Sequence, residues 1–386
     1  MNEITAEAPS EPIQDLPRRL EGYREMLLAN LVMAGEIPAP TFQEQARVEF
    51  VKQRFVECGL EQVSSDAAGN GLGLLRGRTG SRAILLHAHA DTPFPETLPH
   101  TLNVEPGRVV GPGVADNALG VAALITLPTL LEHLDIRLDN DLVFMASVRS
   151  LGRGNLEGLR AFLVTTQLPI LAGISIEGVP LGRMDYVSQA TVGAEITCRV
   201  DPDHPVEAGA IPALNQVLTQ LRAMELPAES HTRLVLGSVA GGTSYKSPAL
   251  SATLRFQLRG DADPVVEGIT EQIVAICDAV ARSTGVRVAF DVIARTRAGG
   301  LPDDHPLVVR TRRILEALQI EPLPPTHSSA ASVFLERQIP SITLGVSFGA
   351  HRGEPSEYVE IPPMLKGMAQ LIGVLKAVDG GCCDRH

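Results

Sequence analysis

Four short segments of this chain carry residues able to hold a cation or move a proton. The first is HAHAD, in which His87, His89 and Asp91 occupy alternate positions. If the segment is extended, all three point to one side, so one imidazole could bind a metal while the carboxylate orients it. The second is GPGVADNALG, where Gly111 and Gly113 permit a tight turn and Asp116 stands where the next helix begins. A carboxylate there could bridge two cations or serve only as a helix N-cap. The third is Glu177, directly after LAGISI, and the fourth is His351 in SFGAHRGEPSEYVE, after SITLGV. Each alone has a plainer reading as a surface pair, a cap or a solvated loop residue. Their coincidence at the C-terminal ends of four apolar runs, where open α/β sheets place ligands, points to a His, Asp, Glu, His metal set.

Those runs set the fold class. Residues 82–86, 142–148, 171–176 and 341–346 are short and apolar, the signature of strands covered on both faces. Helical patterns at 17–34, 41–58, 117–131, 307–318 and 363–378 surround them, which predicts an α/β fold with a mainly parallel sheet sandwiched by helices. Between 188 and 298 the pattern changes to strand 190–200, helix 208–224, strands 231–239 and 251–258, helix 264–283 and strand 286–293. That order, β-α-β-β-α-β, is that of a ferredoxin-like unit. The chain therefore divides into a loose tail at 1–16, a main α/β domain made of 17–187 and 299–386, and an inserted domain at 188–298. The terminal GGCCDRH reads as a second mobile tail, since adjacent cysteines chelate poorly in one extended segment.

Composition narrows the function. Of 386 residues, 44% are hydrophobic and 20% charged, which excludes disorder, collagen-like repeats and coiled coil. Lys and Arg number 33 against 45 Asp and Glu, and the net charge of -12 argues against nucleic acid and anionic lipid as partners. The longest apolar stretch, GVAALITLPTLL from Gly120, falls short of the roughly 20 residues that span a bilayer and contains Pro128, so no membrane span is expected. An acidic, polar N-terminus and five scattered cysteines lead to the expectation of a cytoplasmic protein with reduced thiols.

HAHAD, GPGVADNALG, ISIEG, VAGGTSYKSPALSATLRFQLRG and LGVSFGAHRGEPSEYVE resemble, in order and spacing, the successive motifs of metallopeptidase family 20. That family includes peptidase T, glutamate carboxypeptidase, acetylornithine deacetylase and succinyl-diaminopimelate desuccinylase. The resemblance spans about residues 35 to 378. It implies a zinc-exopeptidase-like main domain, with the insert serving as lid and dimerisation domain of a homodimer. It also implies that His89, Asp116 and Glu177 hold one zinc, with Asp91 behind His89, and that Asp116 faces a second zinc together with His351. The peptide bond after Asp116 would be cis.

The resemblance breaks at its centre. The family places two adjacent glutamates after the strand corresponding to LVFMASV, one the general base and the other a ligand of the second zinc. Here the segment reads SVRSLGRGNLEG, and the frame of Gly152, Gly154, Leu156 and Gly158 puts Ser150 and Leu151 at those positions. A serine hydroxyl has no accessible basic form near neutral pH, and leucine has no lone pair. With Asp116 and His351 alone left for the second ion, the expectation is one zinc per chain at most. Candidates to replace the base are His87, Asp91 and His204, with Glu157 and His327 as weaker ones. His204 falls where the family has a Gly-Gly-His-Ser histidine that reaches the partner subunit's site, but both glycines are missing. Lys246 stands where the family has a substrate-contacting asparagine. Arg259 matches an arginine associated with substrate carboxylates, or is simply a strand-end cation. A few residues after His327, Ala331 replaces a frequent family aspartate.

Three readings follow. The chain is a non-hydrolytic pseudoenzyme binding one metal and a small amino-acid-like or peptide ligand. Alternatively it is a one-metal amidohydrolase or peptidase with a replacement base such as His87. The third reading is a dimeric interaction or assembly protein.

Overall fold

The strand Ala83–His89 and its neighbour Asp141–Ser147 are buried at all seven positions, and its other neighbour, Ile170–Glu177, is nearly as enclosed. This is why their sequences read as continuous apolar runs rather than alternating ones. In this computed structural model, which describes residues 12–201, 203, 208–325 and 329–384, they form the centre of a seven-stranded sheet. The order is Glu61–Ser65, Gly71–Leu75, Asp141–Ser147, Ala83–His89, Ile170–Glu177, Ser341–Gly345, Met184–Asp185. The four middle strands are parallel, and the outer ones pair antiparallel. His204 and His327 lie outside the described residues, as do residues 1–11 and the last two of GGCCDRH.

Side-chain alternation divides the core between the two faces of the sheet. Leu85, Val143 and Met145 pack with Phe162 and Phe334 from the helices Glu157–Thr165 and Ala331–Leu335. On the other face Phe144 meets Phe55 of the helix Gln45–Glu57 edge-on at 6.0 Å. Burying each such side chain contributes about 1.5–3 kcal/mol. Ala331, at the position of the expected aspartate, is fully buried in this layer.

The same helix, Gln45–Glu57, carries a buried cation. Arg47 is 0% exposed and donates to the carbonyls of Ile37 at 2.6 Å, Ala90 at 3.0 Å and Gly35 at 3.2 Å. Burial pushes its guanidinium down to about 10, against the pull of Asp91. It remains charged at neutral pH and fixes the backbone one residue beyond His89.

The chain forms two compact units, one from the segments before Val187 and after Gly300, the other from Val187–Gly300. In the second, a four-stranded antiparallel sheet runs in the order Arg233–Gly241, Ser251–Gly260, Ala190–Arg199, Arg287–Thr296. The helices Ala210–Ala223 and Asp263–Thr284 pack on it through Leu214, Val217, Ile269 and Ile273. This is the ferredoxin-like arrangement.

Two local expectations are corrected, and a third observation bears on the expected absence of a membrane span. The tail expected through residue 16 gives way to helical turns at Ile13–Asp15 and Leu16–Arg19, because Ile13 packs directly over Gly373. The C-terminal segment continues the helix Met364–Ala377 through Val378–Cys382. Asp379 accepts the amides of Asp139 and Asn140, and Asp384 pairs with Arg82 at 2.5 Å. Finally, Val114–His133 is a 20-residue helical stretch long and apolar enough to cross a bilayer by length and composition. Its apolar window is 94% buried, so its hydrophobicity is that of a core helix.

Candidate metal centre

Alternation along Ala83–His89 points His87 and His89 to the same side, but they meet different partners. His89 is at the strand end, with Nε2 3.2 Å from Asp116 Oδ1 and Nδ1 3.1 Å from the Asp91 carbonyl oxygen and 3.3 Å from its Oδ1. Burial opposes charge on His89, yet the hydrogen bonds to Asp116 and Asp91 and the charge of Glu177 hold its imidazolium well above the ordinary range. His87 lies one turn of the pleat deeper. Its Nε2 is 2.7 Å from Ser147 Oγ and its Nδ1 3.3 Å from Ser175 Oγ. Burial and the neighbouring His89 push it down to about 3, so it is a neutral histidine hydrogen-bonded within the sheet.

Asp116 is delivered by an irregular turn. Gly113 adopts φ 78°, where a Cβ would come 2.9 Å from Thr92 Oγ1. Asp116 has φ −129° and ψ 80°, outside the helical region, and the Asp116–Asn117 peptide is cis. Asn117 then staples this turn to the next strand: its Nδ2 donates to Ile176 O at 2.9 Å and its Oδ1 accepts Gly178 N at 2.7 Å. Those two bonds flank Glu177. As a result His89, Asp116 and Glu177 present donor atoms within 4.8 Å of one another. A nitrogen and two carboxylates of this spread suit a single divalent ion with bonds of about 2 Å after small side-chain movements.

Asp91 works from behind. Its Oδ2 accepts Thr41 Oγ1 at 2.9 Å, Ser150 N at 3.0 Å and Leu151 N at 2.8 Å. Burial raises its carboxyl, but His89 and these donors more than offset that and hold it below the usual range. Ser150 is buried, with its hydroxyl 3.1 Å from that of Ser147, so Ser150, Ser147, His87 and Ser175 form one hydrogen-bonded chain. Glu157 faces Arg149 on the surface.

His351 is not part of the donor cluster. It has φ 61°, its ring is about half exposed, and its Nδ1 is 3.1 Å from Glu354 Oε2. The next residue turns inward instead: Arg352 Nη2 donates to Asp116 Oδ1 at 2.8 Å and Glu177 Oε2 at 3.2 Å. Arg183 Nη1 lies 3.5 Å from the same Glu177 oxygen, while its Nε donates to Asp185 at 2.5 Å. Burial opposes ionisation of Asp116, and His89 and Arg352 together reverse it, holding its carboxyl far below the usual range. Sequence reasoning missed Thr41, Asn117, Arg183 and Arg352. Only Arg352 had a local signal, its place beside His351. Of the residues expected to touch substrate, Lys246 and Arg259 belong to the Val187–Gly300 unit. Lys246 is exposed, and Arg259 stands opposite Thr191 and Arg233 in the sheet.

A mainly parallel sheet with a buried donor cluster at its strand ends, interrupted by a ferredoxin-like unit, is a zinc-exopeptidase-like architecture. The chain belongs to the peptidase family M20/M25/M40, whose model matches residues 85–377. No curated protein matches it. Among solved structures it is similar to the di-peptidase Dug1p from Saccharomyces cerevisiae, at 13% identity and TM-score 0.77 over 95% of this chain and 98% of that one. It is similar to human carnosine dipeptidase 1, at 10% identity and TM-score 0.76 over 95% and 100%. It also resembles the YXEP protein of Bacillus subtilis, described as a dinuclear metal binding peptidase, at 16% identity and TM-score 0.64 over 93% and 98%.

Proposed function

We propose that this chain keeps the family scaffold and one cation-binding donor set but has lost hydrolysis. It would be a pseudoenzyme that binds one zinc ion per chain at most and a small amino-acid-like or peptide ligand, in the cytoplasm. The observation that carries this reading is the occupant of the turn on Asp91: Ser150 and Leu151 sit there, held by their amides, with no carboxylate to offer. His89, Asp116 and Glu177 would hold the ion, which when bound supplies Lewis acidity. Ser150 cannot take a proton at neutral pH, and both ring nitrogens of His87 face serine hydroxyls, so neither supports general-base work. A second ion, as in the Bacillus subtilis relative, does not fit these residues, because Leu151 has no donor atom and His351 Nδ1 faces Glu354.

The test has two parts. Protein loaded with excess zinc and then desalted should retain no more than one equivalent by elemental analysis. The loaded protein should not turn over a panel of dipeptides and acylated amino acids. Two tightly held ions, or enzyme-like turnover that His89→Ala abolishes, would sink this reading.

The insert would serve as lid and dimerisation domain of a homodimer. The sequence offers strand 190–200 or a neighbouring helix as the contact, but the strand Ala190–Arg199 is paired on both sides and presents no edge. Arg233–Gly241 is one of the two outer strands and is exposed along most of its length, with Val235 at 46% and Val239 at 59%. Such an unpaired edge suits two-fold strand addition. Light scattering should give a dimer for wild type and a monomer for the double change Val235→Glu and Val239→Glu. A wild-type monomer at micromolar concentration would refute the assignment.

A further inference from the structure

We propose that Arg352 is the resident cation of this site, and that a divalent metal occupies His89, Asp116 and Glu177 only when the Arg352 guanidinium withdraws. The inference rests on these three residues being the metal donors. It does not depend on whether the chain hydrolyses anything.

The argument is one of shared atoms. Asp116 Oδ1 already faces His89 Nε2 at 3.2 Å, and Arg352 Nη2 reaches that same oxygen at 2.8 Å and Glu177 Oε2 at 3.2 Å. One guanidinium nitrogen thus bridges two carboxylates that arrive from different strand ends. A metal bonded at about 2.0–2.2 Å to the same oxygens would overlap that nitrogen, and the two positive charges would repel. The occupants are therefore mutually exclusive.

The chain aims Arg352 inward by a specific turn. The positive φ of His351 sends its ring outward to Glu354, leaving the next side chain to point at the carboxylates. Glu357, itself fully buried, accepts Gly353 N at 3.1 Å and Ala115 N at 3.4 Å, and so ties the Arg352 turn to the Asp116 turn. Arg352 can nevertheless leave. Its side chain is 41% exposed, whereas Arg183, on the other side of Glu177, is 6% exposed and also committed to Asp185. Arg352 is the movable member of the pair, so the arrangement is an intramolecular competitor for the metal.

Zinc titration by calorimetry at neutral pH tests this on the full chain. Arg352→Gln removes the charge and should bind zinc about ten- to a hundredfold more tightly than wild type, the range spanned by hydrogen bonds to charged groups. Adding His89→Ala to Arg352→Gln should erase that gain. Equal zinc affinity for Arg352→Gln and wild type would overturn the competition and leave the pseudoenzyme reading standing. A gain that survives His89→Ala would overturn the donor assignment itself. Should Arg352→Gln fail to fold, hydrogen exchange on wild type decides: saturating zinc should increase amide exchange over residues 351–357 as the turn is released. Unchanged or slower exchange there overturns the proposal.

Discussion

Placing glutamate at both 150 and 151 should raise the tightly held zinc from at most one equivalent to two. Where the wild type has no hydrolysis, this double variant should also acquire it. The backbone is already in place, because the Ser150 and Leu151 amides dock on Asp91 Oδ2 at 3.0 and 2.8 Å without help from either side chain. A carboxylate at 151 supplies a second donor beside Asp116, and His351, about half exposed, must turn from Glu354 to complete the set. One at 150 supplies a base, worth roughly 10²–10⁴ in rate, or about 2.7–5.5 kcal/mol of transition-state stabilisation. The longer side chain at 150 must displace the contact with Ser147, so some stability will be lost. Metal stoichiometry by elemental analysis is therefore the firmer measurement, and a variant that still retains one equivalent would show that the turn does not face the second site.

The largest stability effect is expected at Arg47. Its guanidinium satisfies three backbone carbonyls at the point where Ala83–His89 leaves the sheet, and it is the cation whose charge opposes that of buried Asp91. Arg47→Met preserves most of the volume but leaves the Gly35, Ile37 and Ala90 carbonyls without this donor and removes a nearby positive charge from Asp91, which keeps His89. Leaving a buried acceptor unsatisfied costs about 1–3 kcal/mol, so the three together should cost about 3 kcal/mol or more. Urea unfolding should report a loss of that size, together with weaker zinc binding, because Asp91 orients His89. A loss below about 1 kcal/mol would mean that water replaces the guanidinium freely.

Much of this molecule was legible in the sequence because its regular parts obey short-range rules. Runs such as 82–86 and 171–176 are largely apolar and do not alternate since both faces of a parallel strand are covered, and the insert announces itself by a change of element order. That histidines and carboxylates gather at one edge was equally readable, because parallel strands end there, while the choice of His89, Asp116 and Glu177 among them came from the family resemblance.

What the sequence left open lies in irregular backbone. Nothing local distinguishes His351 from Arg352 as the residue that turns toward the carboxylates. One positive φ decides it, stabilised by Glu357 accepting the amide of Ala115, 242 residues earlier. His87 and His89 share a face and differ only in depth, so whether each meets serines or carboxylates depends on which strands lie alongside. Pairing across the sheet and the sign of a single backbone torsion are set by contacts between distant segments. For that reason the donor set could be read along the chain, and the cation bound to it could not.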